Sequence, residues 1–327
     1  MAYERIAVVG AGAVGGVVAW HLADAGYDPT IVARPQTAAT LNEKGLTLTG
    51  PGQSRTVPVR ATSDAGKAGE HDLVLVGFKA HDWESGLPLV MPLVGPSTII
   101  VPMLNGIPWW YLEHQGRQYG AERLLAVDPA DRIRKSIKTA QVLGCVVYIG
   151  ANRAAPDMIG WNGRKRLVLG EPAGPASARL DAVAGLLQQS GIDAETTTDI
   201  RSEIWSKLLG NACFNPVSAI TGTTIGAMVA DPALRGVLRA VMLECLAVAH
   251  SVGVDNLPDV DARLVVHPAM TGAKTSMLQD MEAGRPLELG ALVDAVCELG
   301  ARTGVPTPVL TALGALAAAA WRQAWAR

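Results

Sequence analysis

The chain has 327 residues, 49% of them apolar and 18% charged, so it has ample material for buried cores and is not a disordered chain. A formal net charge of −2 leaves no electrostatic footprint for nucleic acid or an anionic membrane surface. The four cysteines, Cys145, Cys213, Cys245 and Cys297, are too scattered for a metal knuckle or a redox pair, so no metal and a reducing cytoplasm are expected.

The first element is Ile6-Ala7-Val8-Val9, a continuous apolar run that reads as a strand buried on both faces. It starts so early that no signal peptide is expected before it. Gly10-Ala11-Gly12-Ala13-Val14-Gly15 follows, then a helical stretch 17–25 closed by Gly26, then a second strand over 30–33. Strand, Gly-x-Gly-x-x-Gly, helix and strand in this order are the dinucleotide-binding fingerprint, whereas the hexapeptide alone could be an ordinary glycine-rich turn. Gly10 permits the tight turn, Gly12 lets the backbone approach a pyrophosphate, and Gly15 lets helix pack on strand. The backbone of Gly12, Ala13 and Val14 then offers N–H groups at the positive end of the helix.

The second strand ends in Arg34, with no carboxylate to hold a ribose 2′-hydroxyl. Arg34 suits a 2′-phosphate, hence NADP(H), although a solvated loop arginine is the alternative. Strands over 72–78 and 98–101 end in Lys79 and in Asn105-Gly106. Ligands in open α/β sheets bind beyond strand carboxyl ends, which places Lys79 and Asn105 at the cofactor cleft. The basic run Arg132, Arg134, Lys135 and Lys138 reads as a solvated helix face started by Asp128-Pro129. Shorter strands are expected over 145–149, 158–161, 167–169 and 193–196, with a turn at Asn162-Gly163 and a helix over 178–190.

From Asp199 onward strand patterning disappears. The division expected is therefore 1–198 for an α/β Rossmann-type domain and 199–327 for an all-α domain. Asp199 and Asp231-Pro232 begin helices. Lys207, Asn211 and Asn215, spaced by four, form a polar stripe among apolar neighbours, with Pro216 next to it. Polar groups in such surroundings call for partners, so the stripe reads as a site for a small polar anion. A structural hydrogen-bond network or a water-facing stripe are the alternatives. Ser276, Asp280 and Glu288 form a second polar group that by itself reads as helix face, cap and turn. The apolar stretch 309–321, followed by Arg322 and Arg327, is too short to span a bilayer and reads as a packed terminal helix. Apolar helices in this half are compatible with a homodimer.

Taken in order, Gly10–Gly15, Phe78-Lys79-Ala80, Asn105-Gly106, the stretch from Lys207-Leu208-Leu209-Gly210-Asn211 to Asn215-Pro216, and Ser276 to Asp280 with Glu288 resemble the ketopantoate reductase family. The resemblance covers nearly the whole chain. It implies a Rossmann-type NADPH domain followed by an all-α domain of the 6-phosphogluconate dehydrogenase C-terminal-like type. It implies reduction of 2-dehydropantoate to pantoate in the pantothenate route to coenzyme A. By the same resemblance Lys207 is the proton donor, and Asn211, Asn215 and Ser276 hold substrate. Asn105 touches both substrate and cofactor, and Lys79 and Glu288 line the cofactor and reacting centre.

The implied chemistry is physically coherent. Hydride transfer to a ketone leaves negative charge on oxygen, which a nearby acid stabilises and protonates. No histidine lies within the matched residues, so Lys207 takes that part, with Glu288 holding it or a substrate hydroxyl. The chain departs from the family at Leu104, where many members carry glutamine, and at Gly290, where many carry aspartate. The aromatic segment Asn105 to Tyr111, expected near the substrate mouth, and a longer region over 128–141 depart as well. These departures leave the chemistry in place and the substrate's side chain open, so a second reading is a reductase of another small 2-keto acid or an opine-type enzyme; a third, a non-catalytic NADPH-binding protein, would be favoured were Lys207 missing.

Overall fold

The computed structural model describes residues 3–113, 119, 122–265 and 271–325. Arg327, read above as part of the terminal helix end, lies outside them. The chain forms two units, Met1–Leu104 with Arg132–Ile200, and Asn105–Asp131 with Arg201–Arg327.

In the first unit β1 (Ile6–Val9) leads into α1 (Ala13–Asp24) and β2 (Thr30–Val32). Next come α2 (Pro35–Lys44), the hairpin β3 (Leu46–Gly50) and β4 (Gln53–Val57), β5 (Arg60–Thr62) and α3 (Ala65–Ala68). β6 (His71–Val76), α4 (Trp83–Val90) and β7 (Val94–Pro102) follow. After the excursion into the other unit come α5 (Arg132–Ser136), β8 (Gly144–Ala155), β9 (Met158–Gly170), α6 (Ala178–Gln189) and β10 (Asp193–Thr197).

One sheet has the order β5-β2-β1-β6-β7, all parallel, so the strand order reverses between β1 and β6. This is the Rossmann arrangement, with its ligand crevice at that reversal. A second sheet runs β10-β9-β3-β4, with β8 antiparallel along β9. Helix α1 is buried from Gly15 to Leu22 because both sheets pack on it. A Cβ on Gly16 would stand 2.7 Å from the Ile159 side chain, so glycine there sets how closely the helix approaches β9.

The second unit is helical. It comprises α7 (Ile200–Thr221), α8 (Ile225–Ala230), α9 (Pro232–Ser251), α10 (Val260–Arg263), α11 (Ser276–Glu282), α12 (Ala295–Thr303) and α13 (Pro308–Trp325). Asp231 caps α9 by accepting from the Ala233 and Leu234 amides. Pro216 lies inside α7, which continues past it to Thr221. Among the described residues no helix is long and apolar enough to cross a membrane, and no cluster of metal-ligating side chains occurs.

Four local expectations are corrected. Asn162-Gly163 is no hairpin turn but lies within β9, where Gly163 has φ +94 and the register against β8 slips between Ile149 and Ala151. The hairpin turns at Pro156-Asp157 instead. Asp128-Pro129 does not start α5; a turn ending at Asp131, whose φ is 58°, intervenes, and Asp128 is buried. Strands β3, β4 and β5 escape a reading based on apolar runs because β4 has the exposed sequence Gln-Ser-Arg-Thr. Finally, residues 105–131 cluster with the helical unit rather than with the 1–198 segment that contains them, because long-range packing overrides chain order.

Candidate active site

The first unit supplies a cradle. Gly10 has φ +92 and donates its amide to the Val32 carbonyl, which ties the turn to the end of β2. A Cβ on Gly15 would stand 2.1 Å from the Gly10 carbonyl oxygen, so only glycine lets α1 start there. Gly12 caps α1 without a side-chain bond, and nothing lies within 4 Å of where its Cβ would be. The first turn of α1 thus presents backbone N–H groups to open space, with no acidic residue in that turn, an arrangement that suits a pyrophosphate. The residues therefore fit a dinucleotide. Lys79 is half-buried just past the carboxyl end of β6, the neighbour of β1. Phe78 beside it wedges between Gly10 and Gly86, both of which would collide with it or press on it if they carried a Cβ. Arg34 is exposed at the end of β2, as the residue preceding α2.

In the second unit, α7 carries the polar stripe of Lys207, Asn211 and Asn215. Lys207, half-buried on α7, donates from Nζ to Asn105 Oδ1 at 2.5 Å. Lysine offers only donors, so this contact fixes the orientation of the Asn105 amide and leaves its NH₂ available as a donor. Asn211 and Asn215 lie one and two turns further along α7. Asn215 is 4% exposed, yet no group among the described residues hydrogen-bonds its side-chain amide or that of Asn211.

Asn105 is set in place by an irregularity in the opposing helix. Gly290–Asp294 forms a π-turn that runs into α12, in which the Ala295 amide reaches back to the Gly290 carbonyl. The Ala291 carbonyl is thereby freed from its usual partner and accepts from the Ile107 amide at 2.9 Å. Glu288, buried to 6% exposure, lies just ahead of this turn. The loop carrying Asn105 and the turn after Glu288 are thus bonded backbone to backbone.

In the aromatic segment Trp109, Trp110 and Tyr111 are all within 2% exposure. Trp205 Nε1 donates to Tyr111 Oη at 2.6 Å, and Arg201 donates to the Tyr111 and Glu113 carbonyls, so the segment braces the start of α7 upstream of Lys207. Ser276 is exposed at the first position of α11, and Asp280 is drawn to Arg285 at 2.7 Å. The π-turn and the bracing tyrosine went unread in the sequence, because neither leaves a local periodic signal.

Known proteins resemble this chain over nearly its whole length. Residues 6–174 match the family described as Ketopantoate reductase PanE/ApbA, and residues 199–320 match Ketopantoate reductase PanE/ApbA C terminal. The chain is 43% identical to a 2-dehydropantoate 2-reductase of Mesorhizobium japonicum over 95% of this chain and 96% of that one. A solved 2-dehydropantoate 2-reductase from Geobacter metallireducens GS-15 superposes with a TM-score of 0.85 at 29% identity, covering 97% of this chain and 99% of that one. A D-mandelate dehydrogenase solved with NADH and anilino(oxo)acetate shares the fold, with a TM-score of 0.84 at 20% identity over 98% of this chain and 99% of that one.

Proposed function

This chain belongs to the ketopantoate reductase family, and on that premise we propose that it reduces 2-dehydropantoate to pantoate with NADPH, a step of pantothenate and coenzyme A biosynthesis carried out in the cytoplasm. The observation that carries the reading is the Lys207 contact to Asn105 at 2.5 Å, on a helix whose next two polar positions, Asn211 and Asn215, have no described partner.

The nicotinamide supplies the hydride when bound. Lys207 stabilises the charge that develops on the ketone oxygen and gives it a proton. Asn105 holds the ammonium in position through Oδ1 and offers its NH₂ to substrate or cofactor. Asn211, Asn215 and Ser276 hold the carboxylate and hydroxyl of the acid, and Glu288 orients the reacting centre. Gly10 to Gly15, Lys79 and Arg34 bind the dinucleotide, with Arg34 on the 2′-phosphate.

A different small 2-keto acid is the second reading, and one observation favours it. At Gly290, where many family members carry aspartate, a Cβ would stand 2.7 Å from the Ala126 carbonyl oxygen, so the 122–131 stretch occupies space that a side chain would need. Purified protein assayed with NADPH and a panel of 2-keto acids, read as loss of nicotinamide absorbance, decides between them. Fastest turnover is expected on 2-dehydropantoate. Faster turnover of another acid selects the second reading, and no turnover on any acid overturns both in favour of a binding protein.

A further inference from the structure

Arg153 stands on β8, far along the chain from Arg34. Its guanidinium nevertheless reaches the start of α2, where Nη2 donates to Thr37 Oγ1 at 2.9 Å and Nε donates to the Ala155 carbonyl at 3.3 Å. Thr37 is 6% exposed and follows Arg34 within one helical turn. The other sheet therefore delivers a second arginine to the end of β2.

These two arginines differ from several others in the unit. Arg55 pairs with Asp24, Arg60 with Asp28, Arg166 with Glu195 and Arg179 with Glu171. Neither Arg34 nor Arg153 has a carboxylate partner among the described residues. Burial, and then the nearby Arg34 charge, hold the Arg153 guanidinium below its ordinary value. Two like charges, one of them half-buried, are unfavourable together unless an anion sits with them. A phosphomonoester dianion suits such a pair, because its several oxygens accept from two planar forks at once.

We propose that Arg153 is a second phosphate-reading residue, clamping with Arg34 the phosphomonoester on the adenosine ribose of NADPH, and that it helps set the preference for the phosphorylated dinucleotide. The proposal rests on the Arg34 reading above. Thr37 positions the guanidinium through its hydroxyl. The adenosine 2′-phosphate is distinguished from free phosphate by the dinucleotide cradle at Gly10 to Gly15 in the same unit.

The test is a fluorescence titration of the full chain with NADPH and with NADH, for the parent, Arg34→Ala, Arg153→Gln, Arg153→Lys and Thr37→Val. Adenosine 2′,5′-bisphosphate, 5′-AMP and inorganic phosphate serve as competitors. Arg153→Gln is expected to weaken NADPH roughly 10- to 100-fold, as loss of a charge-assisted contact does, and to leave NADH unchanged. Arg153→Lys keeps the charge without the fork, so a smaller loss confined to NADPH is expected, and it serves if the glutamine variant does not fold. The bisphosphate should lose its advantage over 5′-AMP in Arg153→Gln, while inorganic phosphate competes weakly throughout. If the Arg153 variants leave NADPH unchanged, or weaken NADPH and NADH equally, while Arg34→Ala weakens NADPH alone, Arg153 is a structural anchor and this proposal falls while the Arg34 reading stands. If the parent binds both dinucleotides equally, the Arg34 reading falls and takes this proposal with it.

Discussion

Gly106 and the Ala291 carbonyl fit so closely that a Cβ on Gly106 would stand 2.4 Å from that oxygen, and Gly106 also has φ +83. The position is closed to side chains on two independent grounds, steric and conformational. Gly106→Ala should therefore cost about 1–3 kcal/mol of stability. The larger effect should be on rate. The clash can be relieved only by shifting the loop that carries Asn105, and a displacement near 1 Å at a positioning group costs on the order of 10²-fold in kcat. Thermal melts and steady-state kinetics on one preparation check both, and a parent-like kcat would show that Asn105 does not position Lys207.

Lys207→Ala should cut kcat by roughly 10²–10⁴, the range for a positioned general acid, without changing NADPH affinity. Asn211→Ala should behave differently and raise KM more than it lowers kcat, as loss of ground-state binding does. Single-turnover rates beside equilibrium titrations separate the two effects. A parent-like kcat for Lys207→Ala on the best substrate found would make Lys207 structural.

The parts legible in the sequence are those with a local signature. Ile6 to Val9, the Gly10 to Gly15 turn and α1 are adjacent along the chain, and Gly10 and Gly15 occupy positions that a side chain would crowd, while Gly12 borders open space. The Lys207 stripe needed only helical periodicity. What stayed hidden depends on distant chain. Nothing in Trp109-Trp110-Tyr111 shows that Trp205 and Arg201 enclose Tyr111. The π-turn at Gly290 is stabilised by Ile107, a residue remote in sequence, and Arg153 reaches Thr37 only because β8 pairs with a strand lying over α1.

Acid should destabilise the protein in part through its first unit. Burial, followed by the Lys165 charge, holds the His21 imidazole below its ordinary value, and burial does the same for His71. Above about pH 6.5 both are neutral in the folded and unfolded chain, so neither affects stability. Below it the unfolded chain takes up protons that the folded chain refuses, and stability falls until the depressed folded values are reached, by at most about 1.4 kcal/mol per pH unit for each group. His21 lies edge-on to Trp20 and Trp161, at centroid distances of 5.1 and 5.9 Å, so His21→Phe keeps an aromatic ring in that place. Denaturant melts between about pH 7.5 and about pH 5 should show a shallower acid loss in the variant. Parallel curves would mean that His21 titrates alike in both states.

Glu298 fastens the 122–131 stretch to α12. Its two carboxylate oxygens accept from the Leu125 and Ala126 amides, each at 2.9 Å, while Arg302 pairs with it at 2.5 Å and also donates to the Arg123 carbonyl. Glu298→Ala should cost about 1–3 kcal/mol, since it removes the acceptor of two backbone amides. The same stretch brings the Ala126 carbonyl to within 2.7 Å of where a Gly290 Cβ would lie, so Gly290→Ala alone should also destabilise, by roughly 1–3 kcal/mol. The two substitutions act on one contact. Once Glu298 no longer holds Ala126 down, the methyl at position 290 can push it aside at little further cost, so the double variant should be less damaged than the sum of the singles by about 1 kcal/mol or more. A double-mutant cycle by urea melts measures this directly. Strict additivity would mean that Ala126 is held over Gly290 by something other than Glu298, and the idea that this clip shapes the space beside Glu288 would then be wrong.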